Sequence, residues 1–183
     1  DLTEGAQYTV IHSGFARGSA PAKAVTVITD NPPQPTGQIA LRVINAAAGL
    51  GPVNVWFVRR PATAGTADSL PDTPTASNVA FGTASAYISV ATDAVTADSF
   101  RIIVATPGNK TSLFGGVNGI KAPAGLAGDS IINPIAGSRI GGSVLTAVVL
   151  PASVAGSQAP QGGAFAAPTA VYLVDRRPAN TVP

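Results

Sequence analysis

The chain contains no cysteine and no methionine, and its one histidine is His12. Disulfide staples, thiol redox chemistry and cysteine-ligated zinc are therefore excluded, and one imidazole cannot build a histidine-rich metal centre. A serine–histidine–carboxylate arrangement would have to use His12. That residue alternates with Val10 in a strand-like segment, where a surface or edge histidine is the simpler assignment. Charge is also scarce. Charged residues make up 11 % of the chain, against about 25 % in an ordinary soluble domain. Lys+Arg 11 against Asp+Glu 9 leaves a formal net charge of +2, and aromatic residues are 5 %. A broad basic face with interleaved aromatics is missing, so nucleic-acid binding is not expected. No apolar run approaches the roughly 20 residues needed to cross a bilayer as a helix. The run Val144–Leu150 is interrupted by Thr146, and membrane insertion is not expected.

What is present is apolar, small and heavily punctuated. The hydrophobic fraction is 45 %, with 20 Gly and 16 Pro in 183 residues. That length suits one domain able to bury a core without staples. Apolar residues alternate or run in short blocks, and helical spacing is nearly absent, which predicts an all-β chain. Candidate strands are Gln7–Ser13, Ala24–Asp30, Gln38–Ala46, Val53–Arg59, Ser77–Phe81, Ser85–Ala91, Ser99–Ala105, Thr111–Phe114, Ser130–Ile135, Ser143–Leu150 and Ala170–Asp175. In Val53-Asn54-Val55-Trp56-Phe57 the period of two puts Val53, Val55 and Phe57 on a core face and Trp56 on the other. Short strands parted by turn residues predict an antiparallel β-sandwich.

The chain also echoes itself. Thr26-Val27-Ile28-Thr29-Asp30-Asn31-Pro32-Pro33 resembles Val171-Tyr172-Leu173-Val174-Asp175-Arg176-Arg177-Pro178. Tyr8-Thr9-Val10-Ile11 precedes the first copy as Leu145-Thr146-Ala147-Val148 precedes the second. Residues 1–31 thus read as the last two strands of a partial module, 32–37 as a stiff Pro-rich linker, and 38–183 as a complete sandwich domain.

Three further segments carry a family likeness: Leu41-Arg42-Val43-Ile44-Asn45-Ala46-Ala47, Pro52-Val53-Asn54-Val55-Trp56, and Asn78-Val79-Ala80-Phe81-Gly82-Thr83-Ala84-Ser85-Ala86-Tyr87, with Val174-Asp175 near the end. In these the chain resembles the bacterial family catalogued as domain of unknown function 4397. The resemblance covers most of residues 38–178 and implies tandem Ig-like β-sandwich modules on exported or cell-surface proteins, with no catalytic residues to carry over. Asn54 stands where the family commonly has Asp. The chain begins Asp1-Leu2-Thr3 without an initiator Met, and an extracellular or cell-surface location with the export signal removed is expected.

Candidate sites are few. Glu4 is the only Glu, and the pairs Asp68/Asp72 and Asp93/Asp98 lie in Thr-, Ala- and Pro-rich segments. Paired carboxylates can hydrolyse glycosides, and Asp93 with Asp98 could hold a loop Ca²⁺, yet aspartates in such segments more often close turns. Pro107-Gly108-Asn109-Lys110-Thr111 ends like a phosphate-binding loop without its first Gly, which reads better as a hairpin turn. Arg59-Arg60-Pro61 and Arg176-Arg177-Pro178 place cations at strand exits. No catalytic, cofactor or metal set emerges, and a non-enzymatic protein is expected.

Two strands cannot bury an apolar face alone. Tyr8, Val10, Val25, Val27 and Ile28 must therefore meet either the chain's own sandwich or a neighbouring copy, the linker holding them away from their own domain in the second case. The leading expectation is a structural subunit of an extracellular assembly or filament, a head-to-tail homo-oligomer built by strand addition. The alternative is an adhesion or carbohydrate-binding module that stacks a polysaccharide on Trp56 and Tyr87.

Overall fold

The computed structural model describes residues 2–15, 20–61, 70–92, 98–114, 119–152 and 166–182, without the side chains of 60, 61, 98 and 99. Ten strands and no helix are formed by these residues: β1 (Gln7–Ser13), β2 (Ala24–Asp30), β3 (Gln38–Asn45), β4 (Val53–Pro61), β5 (Ala76–Val79), β6 (Ile88–Ala91), β7 (Asp98–Ala105), β8 (Ile120–Lys121), β9 (Val144–Leu150) and β10 (Thr169–Arg176). Two four-stranded sheets, β10-β9-β3-β6 and β5-β4-β7-β8, accompany a separate two-stranded sheet, β1-β2.

The four-stranded sheets face each other across one apolar core. Ile39, Leu41 and Val43 of β3 and Leu145, Ala147 and Val149 of β9 meet Val53, Val55 and Phe57 of β4 and Phe100, Ile102 and Val104 of β7. Each set follows the strand period of two, so the alternation predicted for β4 is realised. At one end of the core, Asn45 is fully buried. Its Nδ2 donates to Gly51 O at 2.9 Å and Val79 O at 3.0 Å, and its Oδ1 accepts from the Ala47 N–H at 3.1 Å. This polar staple fixes the turn after β3 to β5 of the opposite sheet.

Several expected elements differ. Pairing is antiparallel except between β3 and β9, which run parallel from Ala40↔Val144 to Asn45↔Val149. A parallel neighbour needs a long crossover, and β4–β8 supply it. Thr111–Phe114 and Ser130–Ile135 do not form strands. In the latter, Asp129 Oδ1 accepts the N–H groups of Ile131 and Ile132 at 2.7 and 2.8 Å, closing a side-chain turn that leaves Ile131 in solvent. The segment from Ser85 forms a continuous strand only from Ile88, after an isolated bridge between Ala84 and Ile44, and the two-residue β8 replaces the strand expected at 111–114.

β3 and β9 are buried on both faces. Their outer face carries Ile44 and Val148, against which Ile11 of β1 and Ile28 of β2 pack. The β1-β2 pair thus lies on its own domain, contrary to the expectation that the linker holds it away. Arg176 Nη2 donates to Pro32 O at 3.4 Å, tying the linker to the end of β10.

Candidate functional site

A cation stands in the middle of β3. Arg42 is flanked by Leu41 and Val43, and the strand's alternation turns it from the core toward the outer face, beneath β1-β2. Its Nη2 lies 2.6 Å from Asp30 Oδ1, with side-chain exposures of 3 % and 9 %. Its Nε lies 3.7 Å from Asp175 Oδ2. Two threonines complete the cluster. Arg42 Nε donates to Thr146 Oγ1 at 2.7 Å and Nη2 to Thr9 Oγ1 at 3.3 Å. Thr9 Oγ1 in turn donates to Asp30 Oδ2 at 2.6 Å, and Thr146 Oγ1 donates to Asp175 Oδ2. The Tyr87 ring covers the guanidinium at 4.5 Å from its centroid, and the Tyr87 hydroxyl donates to Asp175 at 2.8 Å. Burial, reinforced by the Asp175 carboxylate, pushes the Tyr87 phenol above the ordinary tyrosine range.

One arginine therefore binds two Thr–Asp pairs, one inside its own sheet and one laid across it. The pairs are the two halves of the echo, and their registers agree up to the irregularity at Asp175, where Asp30 instead pairs regularly with Gln7. Thr9 faces Ile28 as Thr146 faces Leu173, Val10 faces Val27 as Ala147 faces Tyr172, and His12 faces Val25 as Val149 faces Ala170. The faces correspond too. Leu145, Ala147, Val149, Ala170 and Tyr172 look into the core, and their counterparts are Tyr8, Val10, His12, Val25 and Val27. In β1-β2 that face is bare: Val10, Val25 and Val27 are 59 %, 62 % and 51 % exposed.

Of the expected contact residues, Tyr8, Val10, Val25 and Val27 share this open face. Ile28 does not. It points the other way, against Ile44 and Val148, because the adjacent apolar residues Val27 and Ile28 must fall on opposite faces. Arg42 was not among the expected site residues, although a lone cation in an apolar strand, with aspartates repeated at Asp30 and Asp175, is the signal that marks it.

Trp56 and Tyr87 form no common platform. Trp56 packs with Leu70, Ile103 and Ala105, is 2 % exposed, and donates its Nε1–H to Pro71 O at 2.9 Å. Tyr87 sits over Arg42 on the other sheet. The segment Pro107–Thr111 is a turn closed by the Asn109 N–H on Thr106 O at 3.0 Å. Lys110 there bonds Leu70 O at 2.9 Å and Asp72 at 2.6 Å, which holds the exposed Asp72 carboxyl below its usual range. Arg59 donates to the carbonyls of Ala91 and Thr92 rather than presenting a basic patch. Asp68 and Asp93, and the Asp98 side chain, lie outside the described residues, and among those described no three His, Asp or Glu side chains cluster to hold a metal. An open groove of about 400 Å³ beside β5, bordered by Thr75–Val79 and Thr83–Ala86, has no titratable side chain in its lining.

No protein-family model, no curated protein and no solved structure matches the chain.

Proposed function

We propose that this chain is a non-enzymatic structural module of an extracellular or cell-surface assembly, joined head to tail to like modules, with residues 1–31 as the connector. One observation carries this. From Tyr8↔Thr29 to Ser13↔Ala24, β1-β2 repeats the pairing of β9-β10, yet leaves uncovered the face that β9-β10 buries. A two-stranded sheet with one face on its own domain and a core-type face in solvent is suited to joining two bodies. Such a contact is heterologous: the connector of one copy meets a different surface on the next, and contacts of that kind extend into filaments unless they close into a ring.

Light scattering on the purified chain, with negative-stain electron microscopy of native material, tests this role. Concentration-dependent association and ordered fibres of one repeating unit are expected. Val10→Asp with Val27→Asp should abolish association and remove the concentration dependence of Tm, while lowering the Tm of the dilute chain only slightly, because both side chains are half-exposed or more in the single chain. A concentration-independent monomer would overturn the proposal.

A further inference from the structure

Resting on the proposed connector role, the geometry points to what covers the bare face: the body of another module of this fold, with strands equivalent to β3–β8, and an arginine equivalent to Arg42 on its central strand. We infer that β1 pairs in parallel with that strand in the register that β9 keeps with β3, on a body whose corresponding edge is not already filled by a β9 equivalent.

Two independent observations support this partner. The first is register. β9 pairs with β3 through Leu41↔Leu145, Arg42↔Thr146, Val43↔Ala147 and Ile44↔Val148. Carried through the echo, these place Tyr8, Thr9, Val10 and Ile11 opposite the partner's equivalents of Leu41, Arg42, Val43 and Ile44. Val10, Val25 and Val27 then enter a core like the one Ala147, Ala170 and Tyr172 occupy. Pairing on the opposite face is already satisfied, since Ile11 and Ile28 rest on Ile44 and Val148 of their own domain. β1-β2 can serve both bodies at once.

The second is charge. The buried cluster holds one guanidinium and two carboxylates, Asp30 and Asp175. Asp175 meets Arg42 from within its own sheet. Asp30 meets Arg42 only across the interface between sheets, so the in-sheet arginine that its counterpart has is missing from its side. Docked as inferred, Thr9 and Asp30 would receive the partner's arginine as Thr146 and Asp175 receive Arg42. Each carboxylate along a row of modules would then stand between two arginines, and each arginine between two carboxylates. The row is neutral where the single chain carries an excess anion in a buried place, a state that low dielectric disfavours. A hydrophobic partner of another kind would fill the face and leave that anion as it is.

The test keeps the whole chain and places a second copy of residues 38–142 ahead of Asp1. Hydrogen exchange and urea unfolding are then compared with the unmodified chain. The added segment should fold, the amides of β1-β2 should move into the slow-exchange class, and the urea m-value should rise with the extra buried surface. Val10→Lys with Val27→Lys should lower the unmodified chain's Tm by only a few degrees, the cost of like charges facing each other across the hairpin, but abolish folding of the added segment. Arg42→Met in the added copy alone should weaken β1-β2 protection. The inference is overturned if the added segment stays unfolded, if the lysine pair makes no difference, or if residues 1–183 lose their own structure in the longer chain. Fibres of the native chain together with an unfolded added segment would retain the assembly role and discard this partner.

Discussion

Replacing Arg42 with methionine tests the central ion cluster most directly. Methionine keeps an apolar stem of similar reach, so packing against β9 is largely preserved and the guanidinium is what is lost. Two carboxylates then share a site with side-chain exposures of 9 % and 11 % and no cation between them. Removing one partner of a buried pair costs about 3–5 kcal/mol, because the remaining charge is left uncompensated. For a chain of this size about 2–4 °C of Tm accompanies each kcal/mol, so a fall of roughly 6–20 °C is expected. Asp30→Asn runs the other way. It leaves Arg42 with Asp175 as a one-to-one pair, and the new amide can still accept from Thr9, so its cost should stay near that of one charge-assisted hydrogen bond, about 1.5–3 kcal/mol.

Urea unfolding of the two single variants and the double variant gives the coupling. Adding Asp30→Asn to Arg42→Met should recover part of the loss, since it removes one uncompensated anion. Hydrogen exchange separates local from global effects: β1-β2 amides should lose protection in Arg42→Met beyond the global change, as the apolar contacts of Ile11 and Ile28 then hold the pair without the ion cluster. A loss under about 1 kcal/mol for Arg42→Met, or an Asp30→Asn cost equal to it, would refute the two-carboxylates-to-one-cation account.

Asn45→Ala strands the carbonyls of Gly51 and Val79 and the N–H of Ala47, and chemical denaturation should show a loss of about 2–4 kcal/mol from these buried groups. The three tyrosines should titrate in two steps in the tyrosinate ultraviolet band. Tyr8 ionises first, because its oxygen accepts the Thr3 N–H at 2.8 Å and the phenolate gains from that bond. Tyr87 and Tyr172 ionise late, held back chiefly by burial, and Tyr8→Phe should delete only the early step. Because the folded state keeps the protons of Tyr87 and Tyr172 where the unfolded chain loses them, their contribution to stability should be constant from neutral pH to about pH 10 and fall above it; Tyr87→Phe should shallow that fall in pH-dependent unfolding. Gly137→Ala should destabilise by about 1–3 kcal/mol in thermal unfolding, since a Cβ there would stand 2.1 Å from the Gly125 nitrogen and 2.3 Å from the Ala124 carbonyl carbon.

How far the sequence carries depends on whether a feature is local. Val53, Val55 and Phe57 announce a core face because alternation is a property of one strand. Thr9, Asp30, Thr146 and Asp175 announce a repeated hairpin for a similar reason: likeness between two segments is visible without knowing where either lies. The parallel pairing of β3 with β9 is not visible, since it depends on the route of everything between Asn45 and Val144. Ile131 and Ile132 mislead because an apolar pair suggests a buried strand, whereas the Asp129 carboxylate captures their amides in a turn. Trp56 misleads in the opposite sense. Its strand face is outward from the shared core, but Leu70, from the connection to β5, returns over it. Arg42 shows the same limit at the site itself. Its place in an apolar strand marks it as unusual, but what it binds is fixed only when Asp30 crosses the sheet to meet it, and that contact is also what turns β1-β2 so that the valines face out. The buried arginine and the bare valine face are therefore two consequences of one packing choice, and a variant that frees β1-β2 from Arg42 should alter the exposure of both faces together.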